Sequence, residues 1–75
     1  MHITDWSSDM TIFINGERHD LTEGMNIEVL LRELEMEGMR LAIELNSEII
    51  PRRLYPSTTL EDGDEIEIVH AIGGG

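Results

Sequence analysis

The sequence contains no cysteine, no lysine and no long apolar run. Without cysteine the chain has no disulfide framework, no thiolate metal site and no thiol nucleophile. Its apolar runs fall well short of the roughly 18 residues that a membrane helix needs. Without lysine it cannot form polymers linked through its own lysine side chains. Disulfide scaffolds, thiol enzymes, membrane helices and chain-forming protein tags are therefore excluded.

The composition is small and strongly acidic. The 75 residues include 16 acids against five arginines, so the formal net charge is −11. A chain of this length forms one domain that buries roughly 60% of its unfolded surface, which leaves little room for an enclosed active site. The negative charge argues against nucleic acid or an anionic membrane as partner and favours partners with positive surfaces. Residues 1–9 are polar and acidic, unlike a signal peptide, so we expect a soluble cytoplasmic domain.

Two hydropathy patterns occur in the first half of the chain. Alternation over Met10–Ile14 followed by Asn15-Gly16 predicts a hairpin, whose mostly polar second strand over 17–21 lies at a sheet edge. From Asn26, a plausible N-cap, apolar residues recur at helical spacing, which predicts a helix over 27–37 that ends at Gly38. The apolar positions of that helix are Ile27, Leu30, Leu31 and Leu34.

The second half of the chain predicts further strands over 41–45, 48–50 and 65–70. Residues 52–60 are expected to be irregular, because Pro56 excludes a central strand there. Asp62-Gly63-Asp64 is predicted to be a turn. The fold class is therefore α+β, a mixed sheet of four to five strands packed on one helix. We assign residues 10–72 to this domain, 73–75 to a flexible tail and 1–9 to an extension that is disordered or extraneous to the natural chain.

The acidic and histidine side chains give no catalytic or metal-binding pattern. Asp62-Gly63-Asp64 lacks the further oxygen ligands of a calcium loop, and paired catalytic acids need a cleft that separates their pKa values. His2, His19 and His70 are far apart in sequence and are expected at the surface or its boundary. We therefore predict no metal site and no bound cofactor.

The end of the chain is the remaining candidate. Gly73-Gly74-Gly75 follows the last predicted strand after two further residues, Ala71-Ile72. One interpretation is a frayed tail without a role. The other is that the carboxylate of Gly75 is the reactive group, on a tail that can enter a narrow channel because it carries no Cβ atoms. A carboxylate is unreactive until ATP activates it as an acyl-adenylate, from which sulfur transfer can yield a thiocarboxylate.

Several segments together resemble the ubiquitin-like β-grasp sulfur carriers, and among them the ThiS family of thiamine biosynthesis. The resemblance covers residues 10–75 and implies a β-grasp (ubiquitin-like) fold. The matching segments are Met10 to Glu17, Leu30-Leu31, Leu41 to Asn46, Ile49 to Arg52, Asp62 to Ile68 and the glycine tail. The chain departs from the family at Tyr55, where relatives often carry tryptophan, and in its first nine residues.

The resemblance implies a sulfur carrier that is a protein co-substrate and not an enzyme. An E1-like adenylating enzyme (ThiF-like), using ATP and Mg²⁺, would activate Gly75, with Gly74 as its flexible neighbour. Sulfur from a donor such as a cysteine desulfurase would give the thiocarboxylate, which delivers it to a thiazole synthase (ThiG-like). Gly73, Ile72, Val69 and Phe13 are the candidate partner contacts.

Four alternatives remain open. A MoaD-like small subunit of molybdopterin synthase shares the fold and chemistry, but its tail usually follows an aromatic and proline-containing segment, where this chain has Val69-His70-Ala71-Ile72. A carrier for another thiolation pathway or a modifier attached to partner lysines would use the same tail. An acidic, noncatalytic interaction module would not need the tail at all.

Overall fold

The computed structural model describes residues 9–71, which form one mixed sheet and its covering helices. In chain order the elements are β1 (Asp9–Ile14), β2 (Glu17–Thr22), α1 (Ile27–Glu33), β3 (Leu41–Leu45), β4 (Glu48–Ile49), a 3₁₀ helix (Arg52–Ser57) and β5 (Glu65–His70). The strand order is β2-β1-β5-β3-β4, with β1 and β5 parallel and the other pairs antiparallel. The predicted α+β class is confirmed. Within 9–71 no helix is long and apolar enough to cross a membrane.

Two tight turns build the outer hairpins of the sheet. Asn15-Gly16 joins β1 to β2 with φ of +52° and +86°, and Asn46-Ser47 joins β3 to β4 with φ of +51° and +74°. Positive φ at both central residues is what a type I′ turn requires. The predicted Asn15-Gly16 hairpin is confirmed, and β2 is the edge strand that its polar sequence indicated. The strand predicted over 48–50 is one residue shorter, because β4 ends at Ile49.

The core lies between α1 and one face of the sheet. Alternate residues of β1 and β5 point into it, as their hydropathy pattern predicted, and the leucine stripe of α1 covers them. Tyr55 and Leu60, from the segment between β4 and β5, close its margin. The buried residues are Met10, Ile12, Ile14, Ile27, Leu30, Leu31, Ile43, Tyr55, Leu60, Ile66 and Ile68.

The helix begins where predicted but ends four residues early. The Asn26 side chain accepts the Val29 N–H at 2.8 Å, as an N-cap does. At the other end Glu35 has φ of +60°, and the N–H of Met36 donates to the Leu31 carbonyl at 2.8 Å. This is the hydrogen bond of a Schellman motif, in which Met36 also packs on the core. The predicted end at Glu37, with Gly38 as the C′ residue, is wrong, because Glu35 occupies the left-handed position usually held by glycine.

We expect Glu35→Gly to stabilise the domain by about 0.5–1 kcal/mol. The left-handed conformation costs a residue with a Cβ roughly 1–2 kcal/mol, which the greater unfolded-state entropy of glycine offsets in part. Urea unfolding would measure the change. The control is Glu33→Gly, within the last turn of α1, which should cost about 1 kcal/mol. Destabilisation by both variants would contradict strain at Glu35.

The segment predicted to be irregular contains a 3₁₀ helix, Arg52–Ser57, with Pro56 inside it. Proline is compatible here because its fixed φ lies in the 3₁₀ range and its missing N–H costs little in so short a helix. The Thr58 hydroxyl donates to the Leu54 carbonyl at 2.7 Å and closes the last turn. The prediction of an irregular segment was wrong, although the exclusion of a central strand holds.

Candidate functional site

The strand that leads to the glycine tail lies at the centre of the sheet. β5 pairs with β3 along its length, from Leu45↔Ile66 to Leu41↔His70, and with β1 at its beginning. One residue further, the Ala71 N–H donates to the Arg40 carbonyl at 3.0 Å. The predicted site residues Ile72, Gly73, Gly74 and Gly75 lie outside the described residues. The described fold therefore positions the chain as far as the base of the tail, which we define as Val69–Ala71.

Beyond Ile14 the chain turns away from β5, and the Asn15 side chain makes the hydrogen bonds to β5 that the β1 backbone would otherwise make. Its Oδ1 accepts the Ile68 N–H at 2.8 Å, and its Nδ2 donates to the Ile68 carbonyl at 3.1 Å. The Asn15 backbone N–H donates to the Ile66 carbonyl at 2.8 Å. One amide side chain thus satisfies both backbone groups of Ile68, two residues before His70.

Asn46 makes the equivalent contact at the start of β5, from the β3 side. Its Oδ1 accepts the Glu65 N–H at 2.9 Å, and its Nδ2 donates to Asp64 Oδ1 at 3.0 Å. Its own N–H donates to the Glu65 carbonyl at 2.7 Å. Neither asparagine role was predicted from the sequence. The available signal was an asparagine at the first position of both hairpin turns.

The carboxylates of the Asp62–Asp64 turn bind the backbone of their own fold. Asp62 Oδ1 accepts the Thr11 N–H at 2.7 Å, and Asp64 Oδ2 accepts the Glu61 N–H at 2.8 Å. Gly63 has φ of +90° and donates its N–H to the Thr11 carbonyl. The predicted turn is confirmed, and its acids hold the connection into β5.

The histidines of the described region stay apart. His19, on β2, is half-buried with Nε2 3.8 Å from Glu17 Oε1, and His70 is exposed at the end of β5. Both positions agree with the predicted surface or boundary placement, whereas His2 lies outside the described residues. Among residues 9–71, no three His, Asp or Glu side chains are grouped so that they could hold a metal ion.

Within residues 9–71 two side chains, those of Tyr55 and Asp20, have displaced pKa values, and neither is placed for catalysis. Burial raises the pKa of the Tyr55 phenol, against a smaller opposing effect of the Arg52 charge. Hydrogen bonds from the Thr11 hydroxyl and then from Arg18 lower the pKa of Asp20 on the exposed edge strand. Tyr55 therefore stays neutral as part of the core, and Asp20 stays ionised on the surface.

The predicted contacts Phe13 and Val69 lie on the sheet face opposite α1. Val69 is 55% exposed and Phe13 37%. Register brings Phe13 beside Glu65 and Val69 beside Ala42, on neighbouring strands. Exposed glutamates of β5 lie between them, so the face alternates apolar and acidic side chains. It could contact a partner surface that is apolar with basic groups.

A cleft of about 150 Å³ lies between α1, the segment that follows it and the 3₁₀ helix. Leu31 and Tyr55 contribute apolar surface, and Met39 and Arg52 form another part of its lining. Arg52 Nη2 donates to the Met39 carbonyl at 2.9 Å. Met39, in the lining of this cleft, is followed by Arg40, whose carbonyl accepts the Ala71 N–H at the base of the tail.

Known proteins resemble this chain over most of its length. The ThiS family profile matches residues 12–75. A thiazole synthase of Paramagnetospirillum magneticum is 42% identical over 66 residues, which are 88% of this chain but only 20% of that protein. The sulfur carrier protein ThiS of Escherichia coli is 29% identical over 88% of this chain and 100% of its own. The crystal structure of the thiamine biosynthesis protein ThiS from Geobacter metallireducens superposes with a TM-score of 0.78 at 32% identity, over 88% of this chain and 100% of that chain.

Proposed function

This chain belongs to the ThiS family, and we propose on that premise that the carboxylate of Gly75 carries the sulfur. The protein is a sulfur carrier of thiamine biosynthesis with the β-grasp fold, and it is not an enzyme. The observation that carries the proposal is the position of β5. This central strand is bonded on both sides, and in the sequence only Ala71-Ile72 separates it from the three glycines. We assign the tail to residues 73–75 and the domain to residues 10–72, together with Asp9, which is the first residue of β1 and pairs with Thr22.

The proposed chemistry takes place on the partner enzymes. A carboxylate oxygen of Gly75 attacks the α-phosphorus of ATP, and pyrophosphate leaves with its charge neutralised by Mg²⁺. The acyl-adenylate is an electrophile, so a sulfur nucleophile attacks its carbonyl carbon and AMP leaves. With a persulfide as the nucleophile the first product is an acyl disulfide, and a thiol reductant supplies the two electrons that cleave its S–S bond. This releases a thiocarboxylate in which sulfur has replaced one oxygen. In this scheme the carrier binds no cofactor, since ATP and Mg²⁺ are bound by the adenylating enzyme.

The carrier acts with partner enzymes of thiamine biosynthesis. We assign them as a ThiF-like adenylating enzyme, a ThiG-like thiazole synthase and a cysteine desulfurase as sulfur donor. The thiazole synthase assignment is supported by a sequence similarity, because this chain matches a segment that makes up 20% of a thiazole synthase. The need for ATP favours the cytoplasm. Phe13, Val69, Ile72 and Gly73 are the proposed contacts, and the net charge of −11 favours basic partner surfaces that speed encounter at low salt.

Intact mass spectrometry tests the carrier directly. After incubation with ATP, Mg²⁺, the adenylating enzyme and a sulfur donor, we expect a mass change that corresponds to exchange of one oxygen for sulfur. A matched chain that lacks Gly75 should keep its mass, because the shortened tail does not reach the reacting phosphate. An unchanged mass of the full chain, with an enzyme that activates its own carrier, would refute the proposal.

Binding and delivery measurements separate this proposal from its alternatives. An acidic interaction module would bind its partner equally well after deletion of Gly73-Gly74-Gly75, with a strong dependence on salt. A molybdopterin-type carrier would deliver its sulfur to the large subunit of molybdopterin synthase. We expect delivery to thiazole synthase and a loss of activation with the tail deletion.

A further inference from the structure

Two consecutive hydrogen-bonded contacts hold the base of the tail. Arg52 Nη2 donates to the Met39 carbonyl at 2.9 Å. The next carbonyl along the chain, that of Arg40, accepts the Ala71 N–H at 3.0 Å. We infer that Arg52 is a positioning residue for the activation of the glycine tail. It holds the Met39-Arg40 segment in place, and Arg40 in turn binds Ala71 at the base of the tail. This inference rests on the proposed function of the tail.

Arg52 is well placed to act as an anchor. It follows Pro51, whose φ of −64° is fixed by its ring, and it opens the 3₁₀ helix Arg52–Ser57. That helix is tied to the core by buried Tyr55 and packs against α1. The backbone that carries the guanidinium is therefore held independently of both β5 and the segment it contacts.

The segment that Arg52 holds has little support of its own. After the Schellman motif the chain crosses residues 36–40 without regular structure, and Gly38 adopts φ of +86°. Met39 is 42% exposed, and its N–H makes a long bond of 3.2 Å to the Met36 carbonyl. A side-chain donor on the Met39 carbonyl restricts the neighbouring Arg40 peptide, because adjacent peptide planes share one α-carbon.

The Arg40–Ala71 bond is the last one between β5 and its neighbours in the described residues. It extends the β3–β5 ladder one residue beyond the Leu41↔His70 pair. Terminal bonds of a ladder open at a much lower free-energy cost than those of the core. Loss of the Arg52 contact should therefore appreciably increase the fraction of molecules with an unattached tail base, while the core of the domain stays closed.

Amide hydrogen exchange tests the inference without any partner. Arg52→Ala should speed exchange of the Ala71 N–H about fivefold, the effect of one net hydrogen bond, and leave Ile43 and Ile68 unchanged. Arg52→Lys keeps a donor and should restore part of the protection. The control is Arg53→Ala, which removes the same charge one residue later; within residues 9–71 the Arg53 side chain makes no hydrogen bond or ion pair.

Kinetics of adenylation then connect the contact to function. If only the molecules with an ordered tail base are competent to bind, Arg52→Ala should raise KM for the carrier about two- to fivefold and leave kcat unchanged. Arg53→Ala should leave both near the wild-type values. The unmodified chain must be adenylated in the same assay, so failure of the proposed function is visible separately.

Three outcomes would overturn the inference. The first is equal exchange at Ala71 in Arg52→Ala and Arg53→Ala. The second is an equal acceleration throughout β3 and β5, which would make Arg52 a residue of general stability. The third is a fall in kcat at constant KM, which would indicate a role after binding. If Arg52→Ala does not fold, the exchange rate of the Ala71 N–H is compared between Arg52→Lys and Arg53→Lys, and equal rates would overturn the inference.

Discussion

Replacing Gly74 with valine is expected to lower the rate of thiocarboxylate formation at least about a hundredfold, the effect of a small misplacement of a reacting group. The proposed mechanism requires the last residues to enter a channel where the backbone of another protein lies close. Glycine allows that approach, whereas a β-branched side chain adds bulk at the Cβ and restricts the backbone. The measurement is the initial rate of oxygen-for-sulfur exchange, followed by intact mass at a fixed enzyme concentration.

The control for Gly74→Val is Thr22→Val, a nearly isosteric change at an exposed residue at the end of edge strand β2. Both variants should unfold at the wild-type urea concentration, because neither removes a buried group. The control should be modified at the normal rate. A normal rate for Gly74→Val would show that the tail does not pass through a narrow channel and would contradict the proposed role of Gly74.

Leu30→Ala is expected to destabilise the domain by about 3 kcal/mol, within the range measured for such truncations in cores. Leu30 is fully buried in the centre of α1, beneath the sheet. A domain of this size has a total stability on the order of 5–10 kcal/mol. One truncation therefore removes a large share of the stability, and urea unfolding should show a much lower midpoint.

Leu54→Ala is the matched control for the core. It removes the same atoms from a leucine that is 39% exposed on the 3₁₀ helix. We expect a loss below about 1 kcal/mol, because less apolar surface returns to water and no closed cavity forms. Equal losses in the two variants would show that α1 does not cover the principal core.

The local features of the fold were predictable from the sequence. Alternation in β1 and β5 identified the buried face, since a strand presents successive side chains to opposite sides. Asn15-Gly16 predicted its turn because few residue pairs adopt positive φ twice in succession. These signals depend on neighbours in the chain, so no knowledge of the tertiary structure was required.

The end of α1 and the 3₁₀ helix were not predictable by the same rules. Glycine is the usual residue just after a helix C-terminus, so Gly38 and not Glu35 was predicted as the left-handed residue that follows α1. The actual end is set by Met36, which packs on the core beside the last turn. The 3₁₀ helix forms where Tyr55 is buried and where Pro56 removes the N–H that longer structures need. In both places a tertiary contact outweighs the local preference.

The contacts of the candidate site depend on residues far apart in the chain. Asn15 and Ile68 are 53 residues apart, and Arg52 meets Met39 from another element. Composition identifies asparagine and arginine as donors but does not specify their partners. The glycine tail could be proposed as the reactive segment from sequence alone, whereas the residues that hold its base could be identified only from the fold.

The strand order has a mechanical consequence for a protein that is held by its end. If the domain is braced against a partner that draws on the tail, the force acts along β5. The hydrogen bonds from β5 to β1 and β3 run across that direction, so they carry the load together, in shear. An edge strand pulled away from its single neighbour would instead release its bonds one after another. Because β5 is central, the domain stays folded under a pulling force on the tail that would detach an edge strand.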